Sequence, residues 1–528
     1  MCWLVLAAVG AGLGMGQIPQ AAPAPRPNAP PVDDTRQPDA PLAQNDPAKD
    51  LTPLLRQFVQ VFSTVVTEAA DQAPAEKLLY EGAIPSMLRQ LDPHTQFFDP
   101  SQFQQLRQME ESEQKGFGSI VSVLPGQVIF LQTMPGTPSQ KAGIQAGDEL
   151  VGVNNIAIRT LEPQQIIGLL TEARQQKVRI YVRRQGSAKL LDFALTPELV
   201  DSPSVDRAFL LRPGFGYIRI ASWDVQTAKQ LREAIDKLGA SRLNGLVLDL
   251  RNNPGGVVKA ALDVASLFLL PGQKILTAKG RATRDQVADV PKNAAPFSFK
   301  LAVLINAKTA SASEILSGAL QDHDRAVIVG EPSYGKGLVQ SVLPLSDGTG
   351  IAITTAFYYT PSGRSIQRPL RNSALSETFR RNREEPVYKT DKGRIVTGGG
   401  GIQPDLPVMP ESLNGLEAVL DGSGAVTAFA TQYLSGHSRL PDSFAVTPEI
   451  LDEFKVFLAA RQIEPGMGEW SNERSWISNR LKEEIITQAR GVDKGDEILA
   501  QYDPQVQAAL KAMQAGALVA ERLDHARR

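Results

Sequence analysis

The chain has 528 residues, of which 42% are hydrophobic and 21% charged, with a formal net charge of −2. That length accommodates roughly two to four domains, and the near-neutral balance excludes the broad basic footprint of a nucleic-acid-binding protein. Four histidines (His94, His323, His437, His525) stand far apart and there is one cysteine, Cys2. A zinc centre, a disulfide framework and a thiol nucleophile are therefore not expected, and no cofactor is.

The chain opens MCWLVLAAVGAGLGMGQ. Its apolar run from Trp3 to Met15 is too short to span a bilayer and suits the h-region of a signal peptide, with Gly14 and Gly16 spaced for cleavage before Gln17. No basic n-region precedes the run. Residues 1–16 are predicted as a signal peptide, which places the mature chain outside the cytoplasm, in a periplasm or secreted. Membrane contact is expected only if that segment stays uncleaved as an anchor. Residues 17–50 are rich in Pro and Ala, cannot bury a core, and read as a flexible linker.

From residue 51 to 114 the pattern is helical, with Leu54, Leu55, Phe58, Val61, Phe62, Val65 and Val66 at three- and four-residue spacing. LDPHTQFFDP interrupts it as a turn, because two prolines and two aspartates do not continue a helix. His94 reads there as a capping or packing histidine. Between 115 and 200 the period changes to short strands (GFGSIVSV, QVIFLQTM, VRIYVRR) with one helix from Pro163 to Glu172 and turns at Pro135-Gly136, Ala142-Gly143 and Gly147-Asp148. This module resembles a PDZ domain. The resemblance implies that a peptide C-terminus adds as a strand to an open edge while backbone N–H groups of Gly116-Phe117-Gly118-Ser119 hold its carboxylate.

Residues 201–410 alternate strand and helix: GFGYIRI, a helix over Thr227–Leu238, GLVLDLR, a helix over Val257–Leu269, LAVLIN, a further helix, then AVIVG. That order predicts an α/β domain. Residues 411–528 read as a helical C-terminal region with Leu451, Phe454, Phe457 and Leu458 on an apolar face, and no chemistry is assigned to it.

TASASEILSGAL, from Thr309 to Leu320, carries three alternating hydroxyls before a helical pattern. Ser311-Ala312-Ser313-Glu314 is a capping box, and on this fragment alone a cap is the commoner reading. The strand LAVLIN runs straight into it, however, so Ser311 is expected in the crevice where α/β sheets bind ligands, at the positive end of a helix. His323 lies about three turns down the same helix and cannot return to Ser311. GEPSYGKGLVQ supplies Lys336 between two glycines. A free lysine, with a pKa of about 10.4, is protonated at neutral pH, but burial lowers that value and yields a usable base. Gln340 can hold the amine without adding charge. LDLRNNPGG ends in glycines whose N–H groups approach a reacting carbonyl closely. With the N–H of Ala312 they would form an oxyanion hole, each donor contributing about 3 kcal/mol. The same GEPSYGKG invites a phosphate-loop reading, but Gly337 stands where a Ser or Thr is required and a strand follows where a helix is due.

The set LVLDLRNNPGG, TASASEILSGALQDHDRAVIVGEPSYGKGLVQ, TAFYYTPSGRSIQ and GGGIQPD resembles the carboxy-terminal processing proteases, the tail-specific and D1-processing type of serine peptidase. The likeness covers roughly residues 50 to 410. It implies a multidomain α/β protein: a crotonase-like α/β core with an inserted PDZ domain, an N-terminal helical segment and a helical C-terminal region. It also implies Ser311 as nucleophile, Lys336 as general base, Gln340 as its orienting residue, Gly256 (or Gly255) with Ala312 as the oxyanion hole, and proteins with unstructured C-terminal tails as substrates. The rival is a PDZ-type peptide-binding scaffold whose protease core is silent or is gated by peptide. Among minor motifs, GGGGIQPD reads as a tight chain crossing, Tyr358-Tyr359 as a wall of the substrate groove, and Asp249 with Arg251 as support beneath the oxyanion loop.

Overall fold

The computed structural model describes residues 51–515, apart from Gln72, 111–114, Asp201, 282–283, 371–386 and Ser438, together with the backbone of Trp3–Val5. The predicted linker, and the predicted signal segment except those three residues, lie outside the described residues. The helix Thr52–Glu68 starts on Pro53, whose missing N–H costs nothing at a helix start, and none of its residues is buried. Ala75–Lys77 continues through a π-turn, Leu78–Ala83, into Ile84–Leu88. The stretch expected only as a turn holds more: after Pro93 the chain extends as a strand, Gln96–Phe98, antiparallel to Gly350–Ala352. Phe97 and Phe98 gain by half-burial there.

The PDZ-like module is an antiparallel sheet of Ser119–Leu124, Gln127–Thr133, Glu149–Val153, Val178–Arg183 and Leu191–Leu195, with the helix Pro163–Ala173 against it. Val121, Val128, Phe130, Leu150, Ile166, Ile180 and Val182 form its core. Trp3–Val5 runs antiparallel to Ile120–Ser122 at the sheet's edge. Lys115–Gly116 pairs with Glu198–Leu199, so the module's entry and exit strands lie side by side.

The α/β domain is a six-stranded sheet in the order Val205–Arg212, Phe215–Ile220, Gly245–Asp249, Lys300–Ile305, Val327–Gly330, Leu406–Pro407. All neighbours after the first pair are parallel. Such strands are covered on both faces, which is why GLVLD and KLAVLI are almost wholly buried. One face carries the helices Thr227–Lys237, Val258–Ala265 and Ala312–Asp322. The second of these stops at Ala265 rather than at Leu269, where turns lead into Pro271-Gly272. A second, antiparallel sheet holds Lys274–Lys279, Gln286–Asp289, Leu338–Pro344 and Gly350–Tyr359.

The other face of the parallel sheet is covered from the far end of the chain. Val506, Ala509, Leu510 and Met513 of the helix Pro504–Gln514 pack on Val247, Ala302, Leu304 and Val329. The rest of the C-terminal region is helical, as expected, with its own core around Phe429, Phe454, Leu458, Leu481 and Ile485.

Candidate active site

Ser311 stands between the strand Lys300–Ile305 and the helix Ala312–Asp322 with φ 55° and ψ −114°. A positive φ on a residue with a Cβ is strained, on the order of 1–3 kcal/mol, and persists only where surroundings enforce it. The three hydroxyls separate clearly. Thr309 Oγ donates to Leu250 O (2.9 Å), and Ser313 Oγ accepts from Trp223 Nε1 (2.8 Å). Ser311 Oγ has no hydrogen bond among the described residues, although only 2% of the residue is exposed. The expected capping box is therefore only half made. Glu314 Oε2 accepts the Ser311 N–H (2.9 Å), whereas the Glu314 N–H goes to the Ser311 carbonyl (2.8 Å) and not to its hydroxyl. Ser311 Oγ itself makes no cap hydrogen bond at the helix start.

Glu314 does far more than serve its helix. Fully buried, it accepts four hydrogen bonds: Ser333 Oγ–H and the Gly335 N–H (2.7 Å) on Oε1, and the N–H groups of Ser311 and Lys336 (2.9 Å each) on Oε2. Burial pushes its carboxyl above the usual range, and these four donors oppose the rise. It ties the turn bearing Ser311 to the loop bearing Lys336. Nothing in the local spacing signals this, because the partners lie some twenty residues downstream.

Lys336 is 7% exposed, and its Nζ donates to Gln340 Oε1 (3.2 Å). Desolvation lowers its pKa from the ordinary lysine value, against the carboxylates of Asp92 and Glu314, which favour the ammonium. No hydrogen bond joins Ser311 Oγ to Lys336 Nζ among the described residues. Gln340 Nε2 donates to the carbonyl of His94 (2.7 Å). His94 also meets the candidate site through its backbone carbonyl, which its expected capping or packing role did not include, while its ring is held below the ordinary histidine pKa by burial and by the Lys336 charge. Asp92 is a further residue that the sequence reading passed over.

The loop after Gly245–Asp249 presses against Ser311. A Cβ on Gly255 would stand 2.8 Å from Ser311 Cβ and 3.3 Å from Ala312 N. The Gly255 N–H is already committed to Asn253 Oδ1 (2.9 Å), whereas the Gly256 N–H makes no hydrogen bond among the described residues. Gly256 has φ 152°, and a Cβ there would meet Trp223 O at 2.3 Å. Asn253 Nδ2 in turn donates to Ile220 O (2.8 Å). Beneath the loop, Asp249 pairs with Arg251 (2.6 Å) and Arg251 with Asp503 (2.7 Å), so the C-terminal region reaches this strand end too.

Two minor readings resolve. Tyr358 is buried in the core and cannot line a groove; Tyr359 is half-buried under Lys279. The glycine run is a close crossing: Gly401 has φ 80°, and a Cβ there would lie 2.6 Å from Ser333 O, on the lysine loop. Away from this centre, Gly116, Phe117, Gly118 and Ser119 lead into the strand Ser119–Leu124, whose outer side is paired with Trp3–Val5. Gly118 has φ 72° and leaves no room for a Cβ against Thr137, and Ser119 Oγ donates to Ser139 Oγ (2.6 Å). Phe117, Ser119, Val121, Leu170 and Ala173 line a narrow apolar cleft between that strand and the helix Pro163–Ala173.

Residues 214–371 match the family model described as peptidase family S41, and residues 129–184 match a PDZ domain. A carboxyl-terminal-processing protease of Synechocystis sp. is 35% identical over 292 residues, which is 54% of this chain and 68% of that protein. A carboxy-terminal-processing protease of Bartonella bacilliformis is 33% identical over 350 residues, covering 65% of this chain and 78% of the other. The chain belongs to peptidase family S41. Among solved structures, this S41 peptidase is similar to a photosystem II D1 C-terminal processing protease, with 27% identity, 70% of this chain and 91% of that chain covered, and a TM-score of 0.39. The S41 peptidase is thus a serine-type hydrolase that carries a PDZ domain.

Proposed function

We propose that this S41 peptidase is an endopeptidase that cuts proteins at or near unstructured C-terminal tails, with Ser311 as nucleophile and Lys336 as general base. One observation carries the reading: a buried lysine, its pKa lowered, donates to a neutral amide and shares the Glu314 carboxylate with the backbone of a strained serine whose hydroxyl has no hydrogen bond among the described residues. The names of the relatives point to the same substrate class. The parallel sheet with its helices is consistent with a crotonase-like core.

Neutral Lys336 takes the proton of Ser311 Oγ as that oxygen attacks the scissile carbonyl. The N–H groups of Gly256 and Ala312 hold the oxyanion. The lysine ammonium then gives its proton to the departing amine as the C–N bond breaks. Water, activated by the same lysine, releases the acyl group from Ser311. Gln340 keeps the amine oriented without adding a negative charge, which would raise its pKa. Substrate tails would add beside Ser119–Leu124 in the place that Trp3–Val5 takes in this structure, with their carboxylate at Gly116–Ser119. The apolar start of the chain supports an extracytoplasmic location, and no helix among the described residues is long and apolar enough to cross a membrane.

The test is cleavage of an unstructured tailed substrate by purified Ser311→Ala and Lys336→Ala. Both must lose turnover, and retained activity in either sinks the assignment. A peptide-gated form of this reading draws on the missing Ser311–Lys336 hydrogen bond. There, a tail peptide added in trans raises the rate on a second substrate, and an unchanged rate rejects gating.

A further inference from the structure

We propose that the turn Asp92–Thr95, which precedes the PDZ module in the chain, is a positioning element of the catalytic apparatus: it decides which end of the Gln340 amide faces Lys336. This rests on the roles proposed above for Ser311, Lys336 and Gln340.

A glutamine amide has an acceptor end and a donor end, and only its hydrogen-bond partners decide which way it points. Here the donor end is taken by the His94 carbonyl (2.7 Å), which leaves Oε1 on Lys336 Nζ (3.2 Å). In that orientation a neutral lysine donates to Gln340 and keeps its lone pair for the Ser311 proton. Flipped, the amide would offer N–H to the amine and occupy that lone pair. The His94 carbonyl is therefore a chemical choice for the base as well as a contact.

The turn that presents this carbonyl is held on both sides. Asp92, 1% exposed, accepts the N–H groups of His94 (2.7 Å) and Thr95 (2.9 Å) on Oδ1 and the Thr95 hydroxyl (2.7 Å) on Oδ2. Thr95 Oγ also accepts the N–H of Thr354 (3.3 Å), and Thr354 is the cross-strand partner of Gln340. A closed circuit runs Asp92, Thr95, Thr354, Gln340, His94. Three titratable groups face Lys336: Asp92, Glu314 and the His94 ring. Of these, Asp92 belongs to the turn, so its charge and its geometry are both open to test.

The experiment uses the full chain and steady-state cleavage of an unstructured tailed polypeptide across neutral to alkaline pH. Thr95→Val and Asp92→Ala are expected to lose at least about tenfold in kcat with KM within about twofold, and Thr95→Ser to recover most of it. Asp92→Asn keeps the acceptor for the two N–H groups but removes a charge that favours the ammonium, so the rising limb of kcat/KM moves to lower pH. Far-UV circular dichroism and thermal melts identify any variant that fails to fold, and Thr95→Val and Asp92→Asn are the milder pair. If those two keep wild-type kcat and the limb stays in place while Gln340→Ala loses activity, the positioning role is wrong and the catalytic assignment stands. If Thr95→Val loses activity only through KM, or Thr95→Ser recovers none, the turn is scaffold alone and the proposal fails. If Ser311→Ala or Lys336→Ala still cleaves, the underlying assignment itself has failed.

Discussion

A single oxygen of Glu314, Oε2, accepts the backbone N–H of both Ser311 and Lys336, each at 2.9 Å. The residue bearing the hydroxyl and the residue bearing the amine are thus separated by one carboxylate, which lies wholly out of solvent. Glu314→Gln keeps the shape but places an amide N–H2 where two donors already point. We expect at least a hundredfold loss of kcat and a destabilisation of about 2–4 kcal/mol, the cost of leaving buried donors unpaired. Chemical denaturation alongside turnover checks both. Wild-type kcat in a stable Glu314→Gln protein would show that the shared carboxylate is dispensable.

The pH dependence follows from the direction of the Lys336 shift. The base works only when neutral. Burial lowers its pKa, so activity rises with pH through a limb lying below the ordinary lysine value of about 10.4. Lys336→Arg retains the charge and cannot deprotonate, so it is expected to be inactive at every pH. A limb at or above the ordinary lysine value would contradict the assignment of this group.

The three hydroxyls of Thr309, Ser311 and Ser313 should separate in a substitution series. Ser313→Ala removes the partner of Trp223 Nε1 and should cost about 1–3 kcal/mol of stability with kcat within about tenfold. Ser311→Ala keeps the Cβ and its strained φ and should abolish turnover. Equal losses of activity in the two would mean that Ser313 takes part in the chemistry.

Gly255→Ala puts a methyl 2.8 Å from Ser311 Cβ at φ 103°. The loop must move off the nucleophile, and we expect a loss of a hundredfold or more in kcat, about 3 kcal/mol of transition-state stabilisation. Binding of a tail peptide to the PDZ module, measured by titration calorimetry, should be unchanged. Loss of peptide binding as well would point to unfolding instead.

At the far end of the chain, Leu510→Ala opens a gap beneath the parallel sheet and should cost about 2–5 kcal/mol in urea unfolding. A cost below about 0.5 kcal/mol would show that the C-terminal helix does not cover the sheet in solution.

The candidate nucleophile, base and amide were legible because they sit within thirty residues, on consecutive elements. The patterns that place them are local: an apolar strand, a cap, a glycine-flanked lysine. Scarcity of histidine and cysteine narrowed the chemistry further. The PDZ module was visible for the same reason, in period-two strands and turn residues. Asp92, the His94 carbonyl and the coupling role of Glu314 were not legible. His94 lies 246 residues from Gln340 in the chain, and a backbone carbonyl has no residue signature at all. Tyr358 was misplaced because an aromatic near a turn reads the same whether it faces a groove or a core.

By itself, then, the sequence determined which residue types are available for chemistry and where most of the core strands and helices fall, because both depend on residue type and near-neighbour spacing. The tertiary structure alone decided which hydroxyl and which glycine N–H stand without a hydrogen bond among the described residues, and which way an amide points. Those outcomes depend on hydrogen bonds between distant segments. A buried donor or acceptor must find a partner wherever the fold brings one, and no local pattern records where that is.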